Sequence, residues 1–192
     1  MKRFALLFAI VFLGISSSSA QKVGIKTNLL YDATATVNLG VEIGLHQRWT
    51  LDISGNFNAW SRNETTKWKH WFVQPEARYW FCDRFAGHFV GTHLLAGAFN
   101  FGNIKNNIKF LGSDFSQLSK YRYQGYGYGA GVCYGYAFLL GKHWNLELEL
   151  GIGYIYADYQ QFECSGCGRN VGGGNHHYFG PTKAAVNIVY LF

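Results

Sequence analysis

Three groups of residues in this chain have the types and spacing to do chemistry. Cys164 and Cys167, with two residues between them, precede His176 and His177, and together they would offer a zinc ion two thiolates and two imidazoles. Structural zinc sites draw on two tighter pairs, and adjacent histidines are not an HxxxH pair, so a local disulfide or free thiols account better for the two cysteines. The same histidines, with Ser113, Ser116, Ser119 and Ser165, are the residue types of a general base and a hydroxyl nucleophile acting on an ester or amide. The third group is the set Lys26, Glu42, Asp52, Glu76, Arg78, His93, Glu147, Glu149 and Lys183, each placed inside an otherwise apolar, alternating segment. Such a set supports a proton or ion path, or a paired polar core that satisfies itself. The second reading is preferred, because pairing is the usual way to tolerate buried charge.

The segments that carry these residues alternate with period two, the signature of strands with two unlike faces. The most marked is Tyr123 to Leu140. Tyr126, Tyr128, Ala130, Val132, Tyr134, Tyr136 and Phe138 share one face, and Gly125, Gly127, Gly129, Gly131, Cys133, Gly135 and Ala137 share the other. Glycine weakens a strand, so a row of glycines requires a face with no room for side chains. A small closed barrel has a crowded lumen, and an apolar outer wall suits a membrane. Cys133 reads as a space-filler on the small face and Cys82 as a turn residue.

Seven further segments follow the same rule: Val23 to Tyr31, Thr36 to His46, Trp49 to Ala59, Trp68 to Phe81, Gly87 to Phe101, Trp144 to Tyr156 and Tyr178 to Phe192. Pro75 predicts a bulge or a local loss of pairing. In Gly87 to Phe101 both faces are apolar, and His93 is assigned inward because a histidine facing lipid is costly. Thr182, Ala184, Val186, Ile188, Tyr190 and Phe192 are assigned outward against Lys183, Ala185 and Asn187. The second, fourth and sixth links are short; Trp60 to Lys67, Gly102 to Lys120 and Tyr159 to His177 are long. The expected fold is all-β, an eight-stranded antiparallel up-and-down transmembrane β-barrel with short turns at the periplasmic end and long loops outside. Trp49, Tyr134, Tyr136, Trp144 and Tyr190 fall near the short-turn end and Phe57, Tyr126, Tyr128, Tyr154 and Tyr156 near the other, as two aromatic girdles.

The start of the chain sets its compartment. Lys2 and Arg3, the apolar run Phe4 to Ile15 and the small residues Ser16 to Ala20 read as a secretory signal peptide, residues 1–20, leaving 21–192 as one barrel domain. The formal charge of +6 falls to +4 when Lys2 and Arg3 are removed. Lys105, Lys109, Lys120 and Arg122 are spread through one link, which suits a solvated loop near anionic headgroups better than a nucleic-acid surface. No nucleic-acid partner and no cofactor are expected.

The ending VNIVYLF, with Val186, Ile188, Tyr190 and Phe192 on one face, resembles the assembly signal of outer-membrane barrels. Through WFVQPEARYWF and GHFVGTHLLAGAFNFG the chain resembles a family of small outer-membrane proteins of unknown function from Bacteroidota. In architecture it is similar to OmpX and the OmpA membrane domain. The resemblance implies a bacterial outer-membrane location, contact with outer-membrane lipid and insertion by the barrel-assembly machinery, and it brings no activity. A non-catalytic scaffold whose external loops meet a surface or fimbrial protein is the expected role. The alternatives are a lipid-modifying enzyme of the lipid A deacylase or acyltransferase type, although the FxHxSN-like arrangement of the deacylases is missing here, and a soluble lipocalin-like barrel with its apolar face inward.

Overall fold

A computed structural model describes residues 23–59, 67–102, 109–110, 113–114, 121–163 and 168–192. The expected signal peptide lies outside the described residues, as do Ser116, Ser119, Cys164, Ser165 and Cys167. The alternating segments form β1 (Val23–Asn28), β2 (Val37–Gly44), β3 (Trp49–Asn58), β4 (Lys67–Trp80) and β5 (Gly87–Gly102). Then come the short β6 (Lys109–Phe110) and β7 (Ser113–Asp114), followed by β8 (Arg122–Leu139), β9 (Trp144–Phe162) and β10 (Asn170–Leu191). The eight long strands close into one antiparallel barrel in the order β1-β10-β9-β8-β5-β4-β3-β2, and β6 pairs with β7 apart from it. Among the described residues no helix is long and apolar enough to cross a membrane.

The facing follows the alternation. Leu150, Phe179, Val37, Leu39, Val132 and Tyr126 are among the large apolar side chains exposed on the outside, while the ionisable set is buried within. His93 faces inward and is 1 % exposed. At the short-turn end, Trp80, Phe85, Phe89, Ala137, Val189 and Leu191 form an apolar plug across the lumen. Phe85, in the β4–β5 turn, reaches it through a left-handed backbone (φ 64°), a conformation a bulky residue rarely adopts. Its carbonyl accepts a hydrogen bond from Asn145 Nδ2 at 2.6 Å.

The structure corrects the sequence reading in four places. The first strand stops at Asn28 instead of Tyr31, and Leu29–Ala33 form a short helical turn, α1. Asn28 is the cause: its Oδ1 accepts from Leu30 N and from Val186 N, capping the turn and ending the ladder together. Tyr31, which an unbroken strand would place on the same face as Val23 and Ile25, therefore turns into the lumen against Phe72, ring centroids 5.7 Å apart, and lines the cavity there. At Pro75 the expected local loss of pairing occurs without a bulge, since Gln74 and Pro75 drop out of the β4–β5 ladder while Val73 opposite Ala96 and Glu76 opposite His93 keep one register. Second, a register shift falls between Pro181 and Lys183, and it turns Thr182 inward beside Lys183 instead of outward.

Third, the link expected over Tyr159 to His177 is largely strand, because β9 continues to Phe162 and β10 begins at Asn170, with Gly174 opposite Tyr159. Fourth, the glycine row of β8 meets its neighbour's backbone more than the ionic side chains of the lumen. A Cβ on Gly129 would lie 2.4 Å from Tyr154 O, and one on Gly131 would lie 2.6 Å from Ile152 O and 2.7 Å from His93 Nε2.

Candidate functional site

The barrel interior holds the residues singled out for chemistry, in layers. Period-two strands from opposite sides of the ring deliver Lys26 from β1, Glu42 from β2, Asp52 from β3, Glu76 and Arg78 from β4, Glu147 and Glu149 from β9 and Lys183 from β10. Arg78 sits at the centre and is fully buried. Its Nε donates to Glu76 Oε1 at 2.5 Å, Nη1 to Glu42 Oε2 at 2.7 Å and Nη2 to Glu149 Oε2 at 2.8 Å. The guanidinium also lies 4.5 Å from the centroid of Phe89, so one face rests on the apolar plug.

The lysines complete the network on either side. Lys26 Nζ lies 2.6 Å from Glu42, 3.3 Å from Asp52 and 3.4 Å from Glu147. Lys183 Nζ lies 2.6 Å from Glu76 and 3.1 Å from Glu149. Thr50 donates to Glu42 Oε1 at 2.5 Å and accepts from Trp80 Nε1 at 2.9 Å, tying the charged layer to the plug beneath. Guanidinium and ammonium groups so shared immobilise the carboxylates, and an ion path would need them free to exchange partners.

His93, just above, bonds Thr182 through Nε2 at 2.9 Å. Glu76, His93 and Cys133 form the group among the described residues with ligand-type atoms close enough for a metal, all within 4.8 Å of one another. Both Glu76 oxygens are already held by Arg78 and Lys183, so a cation there would compete with two fixed positive charges. The donor set belongs to the ion-pair network first. Of the other candidates, His177 Nδ1 is bonded to the Tyr154 hydroxyl on the outer face. Ser113 lies in β7, in a different link. Cys82 is exposed and Cys133 buried, both as free thiols.

Sequence reasoning missed two parts of the interior. The apolar plug was hidden because Phe85 is a turn residue with no strand parity, and because Val189 and Leu191 looked like members of an unbroken apolar run. The other is a cavity of about 570 Å³ at the long-link end, above Lys183, lined by Tyr31, Phe72, Leu95, Phe99 and Ile155 among others. The even-numbered apolar residues of β4 and the odd-numbered ones of β5 were the signal for it.

These features define a class: a closed eight-stranded antiparallel up-and-down barrel with an apolar outer wall and a lumen blocked by a plug and a salt-bridge network. The chain belongs to the family described as protein of unknown function (DUF3575), whose pattern matches residues 6–192. No curated protein matches it.

Proposed function

We propose that the chain is a bacterial outer-membrane barrel, exported by a cleaved signal peptide over residues 1–20, that anchors and displays a tall sheet extension on one side of its rim without conducting. The observation that carries this reading is the facing. Leu150 is 72 % and Phe179 70 % exposed on the outer wall, whereas Glu42 and Arg78 are at 0 % inside. Apolar area left in water costs about 25 cal/mol per Å², and a wall of it is the mark of a lipid-facing surface. A lipocalin-like barrel would face the other way.

The ends give the orientation. Tight turns at Leu45–Arg48 and Leu140–His143, closed by Leu45 N to Trp49 O and Leu140 N to Trp144 O at 2.9 Å each, suit the periplasmic side. The paired extension of β8, β9 and β10, bearing Tyr156, Tyr159, His176 and His177, then stands outside as a rigid stem for a surface or fimbrial protein. Val186, Ile188, Tyr190 and Phe192 serve as the signal read by the barrel-assembly machinery; Phe192 N bonds Val23 O at 2.9 Å where the ring closes.

Single cysteines test this in a chain whose four native cysteines are serine. On whole cells a membrane-impermeant maleimide should label Gly173→Cys and leave Gln47→Cys unlabelled until the outer membrane is opened. Labelling of Gln47→Cys in intact cells would reverse the orientation, and recovery of the chain from the soluble fraction would end the membrane reading.

A further inference from the structure

The cavity above Lys183 has a volume of about 570 Å³, within the roughly 300–1,000 Å³ typical of ligand pockets. Water is a poor occupant. At ~30 Å³ per molecule about twenty would fit, each needing two to four polar partners. The inner lining is largely apolar, with Phe72, Leu95, Phe99, Phe101 and Ile155. His70 is a polar exception, with a buried Nδ1 that has no hydrogen-bond partner among the described residues. The polar groups at the floor are engaged: Thr182 with His93, Lys183 with Glu76 and Glu149. Aromatic contacts hold the walls, Tyr31 edge-on to Phe72 at 5.7 Å and Phe99 stacked on Phe101 at 5.5 Å.

The cavity also has a side entrance. Among the described residues β10 pairs with β1 only over Asn187–Leu191, yet it pairs with β9 as far out as Asn170. Beyond Asn187 its free edge faces α1, not a strand. An open edge at membrane depth is normally prohibited by its unpaired backbone. Here much of that edge is satisfied from within the chain. Asn28 Nδ2 donates to Ala184 O at 3.2 Å and Val186 N donates to Asn28 Oδ1 at 3.2 Å. Pro181 has no N–H, its carbonyl accepts from the Tyr178 hydroxyl at 3.2 Å, and Thr182 O accepts from Gln74 Nε2 at 3.4 Å. The rims are apolar on both sides, with Leu29 and Leu30 exposed on α1 and Phe179 exposed on β10. Leu30 also lines the cavity, so the apolar surface is continuous from the outer wall to the interior.

We infer that this cavity binds one acyl chain of a membrane lipid, which enters sideways between α1 and β10. The inference rests on the membrane-spanning reading proposed above. An apolar cavity joined to an apolar wall by an entrance whose backbone is largely satisfied is a site for hydrocarbon supplied from the bilayer.

The test is photolabelling of the full mature chain refolded in phosphatidylcholine vesicles that contain a trace of phosphatidylcholine with a diazirine on one acyl chain. Mass spectrometry should map adducts to Leu95, Phe72 or Ile155 in the lumen as well as to Leu150 and Val132 on the wall. Ala157→Trp, which fills the cavity from β9, should lose the lumen adducts and keep those on the wall; Leu95→Trp serves the same purpose from β5. Wall adducts without lumen adducts would overturn the acyl site and leave the membrane reading standing. Adducts on neither face would bring down both. Lumen labelling by free diazirine palmitate added from water, with none from the phospholipid, would overturn entry from the bilayer, and lumen adducts undiminished in both tryptophan variants would place the chain elsewhere.

Discussion

Arg78 is the residue on which the interior depends most. One guanidinium contacts carboxylates from β2, β3, β4 and β9, with Glu42, Asp52, Glu76, Glu147 and Glu149 all within 3.5 Å. Burying such a network is not a gain in itself, since desolvation offsets much of the attraction. Removing the shared cation is different, because it leaves those five carboxylates facing only Lys26 and Lys183. Arg78→Met should therefore lower stability by about 3–5 kcal/mol, read from guanidinium unfolding in micelles. Arg78→Lys should recover only part of this, because an ammonium is a point charge and cannot fork to several acceptors. A midpoint unchanged in Arg78→Met would mean that the network does not hold the barrel. The charged residues were legible in the sequence because each occupies the inward parity of a clean alternating strand. Thr182 was not, because a one-residue irregularity after Pro181 inverts parity without changing composition.

Among the elements, β8 shows why its small residues are needed. Gly125, Gly129, Gly131 and Gly135 each lie so close to carbonyls of β9 that an added Cβ would come within 2.0 to 2.7 Å of one. The sequence announced a face without room, and that much was readable; which atoms fill it was not, because the approach of two backbones depends on local coiling of the sheet. Gly129→Ala should cost about 1–3 kcal/mol by overpacking. Gly172→Ala, where nothing lies within 4 Å, should leave the unfolding midpoint unchanged. Equal midpoints for the two variants would show that β8 and β9 can separate at no cost. The same limit explains the misread β9–β10 extension. A run such as Gly172 to Gly174 carries loop propensity, and only the partner strand, with Tyr159 and Gln160 opposite, makes it a strand.

At the scale of the whole molecule the decisive property is that the barrel is inverted relative to a protein in water, with charge inside and leucine outside. That inversion was legible from alternation alone, because inward charges and outward apolar residues share the same strands. The plug at one end of the lumen and the cavity at the other were not, since both depend on residues outside the strands, Phe85 and the α1 segment, that obey no strand period. Leu150 tests the inversion directly. It lies on the outer wall of β9, 72 % exposed, opposite Tyr134 on β8 and Ala184 on β10, and it touches none of the ionic network. In water an exposed Leu→Arg change is near neutral or improves solubility. In a bilayer the same guanidinium would sit in hydrocarbon, and Leu150→Arg should cost about 2–4 kcal/mol if the residue lies at mid-depth, less nearer an interface. The measurement is reversible unfolding of the variant in lipid vesicles beside the same pair of chains in micelles, where water reaches the wall and the penalty should shrink. An undiminished stability in vesicles, together with a monomer that stays in solution without detergent, would mean that the outer wall meets water and that the apolar face serves some other contact.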